Sequence, residues 1–223
     1  KDGIIPVDSK FSLDNYNRLV SEKNPERKIE LEKEFKKDLK KRILEISKKL
    51  GLTHIGSCLS VLPVLEEIYA KKKPEDKVIL DAAHSHLAHC LFLSGTRPEY
   101  KIKKYGIHCD RKAGCDASGG SLSHTGISLG YAIANPEIKV YTIISDGSSC
   151  EGSLAETLRI AKLLHITNWE IHANFNGYTA VAKIDIDYWE QFLKGFGFPI
   201  IFHHTNNGFP ELDGVQGHYR KLT

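Results

Sequence analysis

Ile143-Ile144-Ser145-Asp146-Gly147-Ser148-Ser149-Cys150-Glu151-Gly152, with Trp169-Glu170-Ile171-His172-Ala173-Asn174-Phe175-Asn176-Gly177-Tyr178 further on, decides the reading of this chain. The apolar run 140–144 has the length and composition of a buried strand. Asp146 follows it directly. Gly147 removes a side chain where the backbone must come close to another group. Residues 153–165 carry helical spacing, with Leu154, Leu158, Ala161 and His165 on one face. A second short strand, 169–173, leads to Asn176-Gly177 at its exit. Strand, loop, helix, strand, loop is the unit of a parallel α/β sheet, whose loops emerge together at the edge where ligands bind.

That geometry predicts that Asp146 and Asn176 meet, although 30 positions separate them. A carboxylate, an amide oxygen and a free backbone carbonyl are hard ligands that suit Mg2+ or Ca2+, above all when a diphosphate supplies further oxygens. The helix N-terminus after Gly152 favours the same negative charge. The plainer alternative is an Asn-Gly turn and a helix-capping Asp, both common.

Outward from this centre, 223 residues suffice for one large α/β domain. The formal charge of +3 is too small to argue for nucleic acid. The lysines between Lys28 and Lys49 fall on one amphipathic pattern and read as a solvated helix face. No apolar run reaches membrane-spanning length and no signal-peptide pattern is present. Five cysteines without a secretory signal fit reduced thiols and predict a cytoplasmic protein. The absence of Met, at position 1 included, suggests that the chain starts inside its gene product.

Residues 1–26 are polar with short apolar patches and read as an arm; 27–223 read as the domain. Leu31, Phe35, Leu39, Ile43, Ile46 and Leu50 recur at three- or four-residue steps, a helix ended by Gly51. His54 opens a second helical pattern with Pro63 in its first turn. Residues 77–80 read as a strand leading to His84, His86 and His89. Residues 105–122 are loop-like and hold His108, Cys109, Cys115, Gly120, Ser121 and Leu122; 126–134 read as a helix of small residues. A helix over 188–196 and a strand over 199–202 close the pattern before His218.

Asp-Gly-x3-Glu-Gly followed by Asn-Gly resembles the thiamine-diphosphate motif of transketolases, with Ser145 where that family usually has Gly. The resemblance extends to His54, His84, His108, the Gly120-Ser121-Leu122 turn and, more loosely, His218. It implies the thiamine-diphosphate-binding fold: a central, mostly parallel sheet with helices on both faces. It also implies roles. Asp146, Asn176 and the Tyr178 carbonyl would hold Mg2+ (or Ca2+). Gly147, Ser148, Asn176 and His84 would contact the diphosphate of thiamine diphosphate. Gly120, Ser121 and Leu122 would hold its aminopyrimidine. His54, His108 and His218 would face the substrate, their imidazoles able to move protons near neutral pH.

In that family a pyrimidine-binding domain follows, carrying the carboxylate that activates the cofactor. The chain stops at Thr223, before any such domain. The resemblance therefore implies the diphosphate-binding half of a split transketolase, with a separate pyrimidine-binding subunit in a heterotetramer or larger assembly. Glu151 would sit at the contact between halves, and sugars or sugar phosphates would be the substrates. Three alternatives stand beside it. An α subunit of a 2-oxo acid dehydrogenase-type enzyme shares the metal motif. A non-catalytic scaffold subunit would explain the short region after Tyr178. A zinc hydrolase could use His84, His86 and His89, although residues two apart on a helix face different ways.

Overall fold

The computed structural model describes residues 18, 21–93, 97–120, 122 and 124–223. The expected arm at 1–26 falls mostly outside these residues, and Ser121 lies outside them as well.

Helix α1 (Pro25–Leu50) starts at Asn24, whose side chain accepts the amides of Glu26 and Arg27, and ends at left-handed Gly51. Leu31, Phe35, Leu39, Ile43 and Ile46 are buried on one face, while Lys28, Lys33, Lys36, Lys37 and Lys41 are exposed. Two short helices, α2 (Ile55–Ser60) and α3 (Leu62–Lys71, with Pro63 in its first turn), lead into β1 (Lys77–Leu80). A 3-10 turn (Ala83–Ser85), α4 (His86–Cys90), α5 (Pro98–Tyr105) and a second 3-10 turn (Arg111–Ala113) follow. Then come α6 (Thr125–Ala134), β2 (Val140–Ser145), α7 (Asp146–Ser149), α8 (Gly152–Leu163) and β3 (Trp169–Phe175). The chain continues through α9 (Ile186–Lys194), β4 (Ile200–His204), a 3-10 turn (Pro210–Leu212) and α10 (Gly214–His218).

The four strands form one all-parallel sheet in the order β1-β2-β3-β4, as the fold class predicts. Thr142 stands level with Ile79 on one side and Ile171 on the other, which fixes the register. Because side chains alternate across a strand, the sheet supplies two cores. Val78, Leu80, Tyr141 and Ile143 pack against α1, α2 and α3. Ile79, Val140, Ile144, Ile171, Ala173 and Phe175 pack against Leu129 of α6 and Leu154, Leu158 and Ala161 of α8. The outer edge of β1 is closed by Asp116, whose Oδ2 accepts the Val78 amide at 2.9 Å.

One expectation is corrected. His165 does not share the buried face of α8: the helix stops at Leu163, and His165 is exposed beyond it with φ 53°. The chain leaves the helix there to enter β3, so the helical spacing no longer sets the direction of that side chain. With every strand running the same way, Asp81, Asp146, Asn176 and Thr205 all begin loops at one edge of the sheet.

Candidate functional site

At the end of β2 the backbone turns at once into α7. Ser145 caps that helix: its Oγ accepts the Ser148 amide, while the Ser148 hydroxyl accepts the Ser145 amide at 3.0 Å. This turn buries Asp146, which is 1% exposed. Its carboxylate accepts the Asn176 amide on Oδ2 and the Gly177 amide on Oδ1, both at 3.0 Å. Asn176 in turn accepts the Tyr178 amide on its Oδ1 at 3.0 Å. The two loops are thus tied together as the spacing predicts. Burial pushes the Asp146 carboxyl up to about 6, and the amides of Asn176 and Gly177 restrain that rise.

Around this pair lies a cleft of about 500 Å3. Its wall includes Asp146, Gly147, Asn176, Tyr178, Leu122, His84 and His218, together with Ser57, Ser60, Ser85, Ser145 and Asn174. A Cβ on Gly147 would stand 3.3 Å from Leu122 Cδ1, so a side chain there would crowd Leu122 against the cleft. Among the described residues no Lys or Arg lines it. The donor set therefore fits a divalent cation of the Mg2+ or Ca2+ kind. Each Asp146 oxygen keeps a lone pair, the Asn176 amide and Tyr178 carbonyl are hard oxygens, and a phosphorylated ligand beside Asp146 needs a cation that no side chain supplies.

Four imidazoles cluster here, with His84 and His218 on the cleft wall and His54 and His108 packed beside them. The His54 ring centre lies 4.1 Å from that of His218, 5.5 Å from His84 and 6.4 Å from His108; His84 and His218 are 5.9 Å apart. His54 adopts the left-handed conformation (φ 61°) and donates its amide to the His218 carbonyl at 2.8 Å, joining two ends of the chain. Burial pushes the His54 imidazole down to about 4, and the neighbouring His218 and His108 add to this. Burial lowers His108 and His218 also. Lowered in this way, His54, His108 and His218 stay mainly neutral at pH 7, so each of these rings offers one donor and one acceptor nitrogen.

Other predicted residues lie elsewhere. Gly120 is exposed and off the cleft wall. Ser148 is fully buried, its hydroxyl engaged in the cap of α7. Glu151 is half-exposed at the start of α8 and makes no capping bond with its side chain. The His84-His86-His89 zinc triad is not assembled: His84 joins the imidazole cluster, while His89 turns to Tyr69 and Cys115. Asn174 escapes the sequence reading. It donates to Ser60 Oγ at 3.3 Å and accepts from Thr205 Oγ1 at 2.5 Å on the cleft wall. An Asn inside a run of buried strand residues is its signal, because strands disfavour Asn unless a partner satisfies it.

A model of the RmuC family matches residues 1–61, a stretch that holds α1 and ends before the sheet. The chain is 29% identical over 173 residues to the 6-deoxy-6-sulfo-D-fructose transketolase subunit SqwG of Clostridium sp. (strain MSTE9). That match covers 63% of this chain and 62% of the relative. It is 28% identical over 136 residues to 1-deoxy-D-xylulose-5-phosphate synthase of Dehalococcoides mccartyi, covering 56% of this chain and 21% of that protein. The chain thus spans less than two thirds of either curated relative. Their likeness supports a transketolase-like enzyme family.

Proposed function

We propose that this chain is the diphosphate-binding subunit of a thiamine-diphosphate-dependent transketolase, moving a two-carbon ketol unit between sugars or sugar phosphates. The observation that carries the reading is a cleft with hard oxygen donors, no cationic side chain among its described lining residues, His84 and His218 on its wall and the rings of His54 and His108 packed beside them. Thiamine diphosphate would supply the carbon nucleophile that the twenty side chains lack. Asp146, Asn176 and the Tyr178 carbonyl would hold Mg2+ against the diphosphate, and Gly147 would let the backbone come close. His84 would donate to a phosphate oxygen. His54, His108 and His218 would take and return protons on the sugar hydroxyls, a task for which neutral rings carry both functions.

Two observations support a partner subunit. The transketolase relative is itself named a subunit. Helix α6 also leaves Gly126, Ile127, Gly130, Ile133 and Ala134 exposed at helical spacing, and α8 exposes Ile160 and Leu163. An apolar stripe of this kind marks a contact surface. A pyrimidine-binding subunit seated there would complete the site and bring its own carboxylate, with Glu151 at the joint.

Calorimetry on the assembled complex tests the reading. Asp146→Ala and Asn176→Ala should each weaken magnesium-dependent binding of thiamine diphosphate by about tenfold or more, since each removes an ionic or dipolar ligand. Unchanged cofactor affinity in both variants would overturn the assignment of the metal end.

A further inference from the structure

Away from the cleft, α4 and the loop 105–117 bring together a second cluster of metal-ligating side chains. The ligand atoms of His89, Cys109 and Cys115 lie within 4.8 Å of one another, and all three residues are buried. His89 hydrogen-bonds through Nε2 to the Tyr69 hydroxyl at 2.9 Å, which leaves Nδ1 turned to the Cys115 sulfur at 3.8 Å. Zinc bonds of about 2.3 Å to sulfur and about 2.0 Å to nitrogen at a tetrahedral angle separate those two atoms by roughly 3.5 Å. A fourth residue, His86, is 0% exposed and lies beside Cys115, just outside the group formed by the other three, so its ring has to swing inward to reach the metal. Its Nδ1 faces the Gly106 carbonyl at 3.3 Å, and its Nε2 is buried without a hydrogen-bond partner.

We propose that His86, His89, Cys109 and Cys115 form a closed, tetrahedral zinc site that pins the loop 105–117 to α4. Each imidazole already has the outer hydrogen bond that fixes a zinc-binding ring: Tyr69 for His89 and the Gly106 carbonyl for His86. In each case the other nitrogen is left for the metal. The two thiols favour the same outcome. Their sulfur atoms lie within 4.8 Å of each other and of a His89 ring nitrogen, all buried. A cation between the sulfurs would make both of them thiolates, releasing two thiol protons to solvent as the metal enters. Four protein ligands leave no open position, so the ion is structural rather than a Lewis acid. Its effect reaches the cleft through the chain itself. Cys109 follows His108, whose ring packs 6.4 Å from His54, so fixing the loop fixes His108. The site is independent of the reading of the cleft.

Elemental analysis of the chain, purified under reducing conditions without chelator, should find a single zinc ion per molecule. Cobalt added to the chelated chain should give sulfur-to-cobalt charge-transfer absorption with tetrahedral bands, a readout that requires no variant. Cys109→Ser with Cys115→Ser should abolish both signals. His86→Ala should weaken zinc retention against a competing chelator by about tenfold or more. Asp146→Ala, at the other site, should keep zinc in full. The proposal is overturned if the chain holds no zinc and gives no sulfur band with cobalt. It is equally overturned if mass spectrometry shows a Cys109–Cys115 disulfide in freshly reduced and purified protein, or if the double serine variant keeps its zinc.

Discussion

His54 holds a left-handed backbone that costs an L-residue about 1–2 kcal/mol. It is kept there by the bond from its amide to the His218 carbonyl and by Thr53, whose Oγ1 lies 2.7 Å from the ring Nδ1. The reward is an imidazole at the centre of the cluster. Its titration gives a signed prediction. The unfolded ring protonates near its ordinary value of 6.5 and the folded ring at about 4. Above the first value both states are neutral and the stability is intact. Between the two values the unfolded chain takes a proton that the fold refuses, so stability is lost as pH falls. The ring is only half-buried, and after solvent screening the effect is on the order of 1 kcal/mol. His54→Asn keeps a residue that tolerates the left-handed region. Urea midpoints measured near neutral pH and near pH 5 should therefore fall less in His54→Asn than in the wild type. Equal losses would show that the imidazole is not the titrating group. In the assembled complex the same variant should lower ketol-transfer turnover more than cofactor affinity.

At the scale of elements, α2 meets the 3-10 turn that leads into α10 through a glycine. A Cβ on Gly56 would come within 2.7 Å of the Leu212 carbonyl oxygen, a backbone atom that cannot swing aside. Gly56→Ala should therefore push the 3-10 turn and α10 outward, at a cost of about 1–3 kcal/mol. Because α10 ends at His218, the same change should separate His218 from His54. Two readouts check this: a lowered thermal midpoint and altered imidazole resonances for both rings. A variant as stable as the wild type with unshifted resonances would contradict the packing argument. The neighbouring helices behave more simply. Pro63, Gly51 and Asn24 sit at ends whose chemistry they satisfy locally, so their positions are legible from short-range rules.

For the whole molecule, the cleft opens at one sheet edge and the apolar stripe of α6 lies in solvent. No described helix is long and apolar enough to cross a membrane. The two-subunit reading seats the partner on that stripe. The purified chain alone should be inactive in a ketol-transfer assay and bind thiamine diphosphate poorly, because the far end of the cofactor would stay in water. Co-expression with a pyrimidine-domain chain should restore both. Glu151→Ala should weaken that gain, and Ile127→Asp with Ile133→Asp should abolish assembly on gel filtration. Robust turnover by the isolated chain, with no partner detected by mass spectrometry, would contradict the two-subunit reading.

The sequence by itself determined the strands, the longer helices α1, α6, α8 and α9, and the pairing of Asp146 with Asn176. Those rest on local periodicity, and a parallel sheet converts strand order into a fixed edge for the loops. His54, His84, His108 and His218 were singled out from the chain through a resemblance, but their convergence is a tertiary fact. It depends on α10 returning to α2 across nearly the whole chain length, a contact without sequence period. Only the tertiary structure divided the His84-His86-His89 run. A 3-10 turn running into α4 sends His84 to the cleft, buries His86, and turns His89 inward to Cys109 and Cys115. Nothing in the spacing of two distant cysteines encodes that meeting, because the loop that carries them is irregular and packing alone decides where it lies.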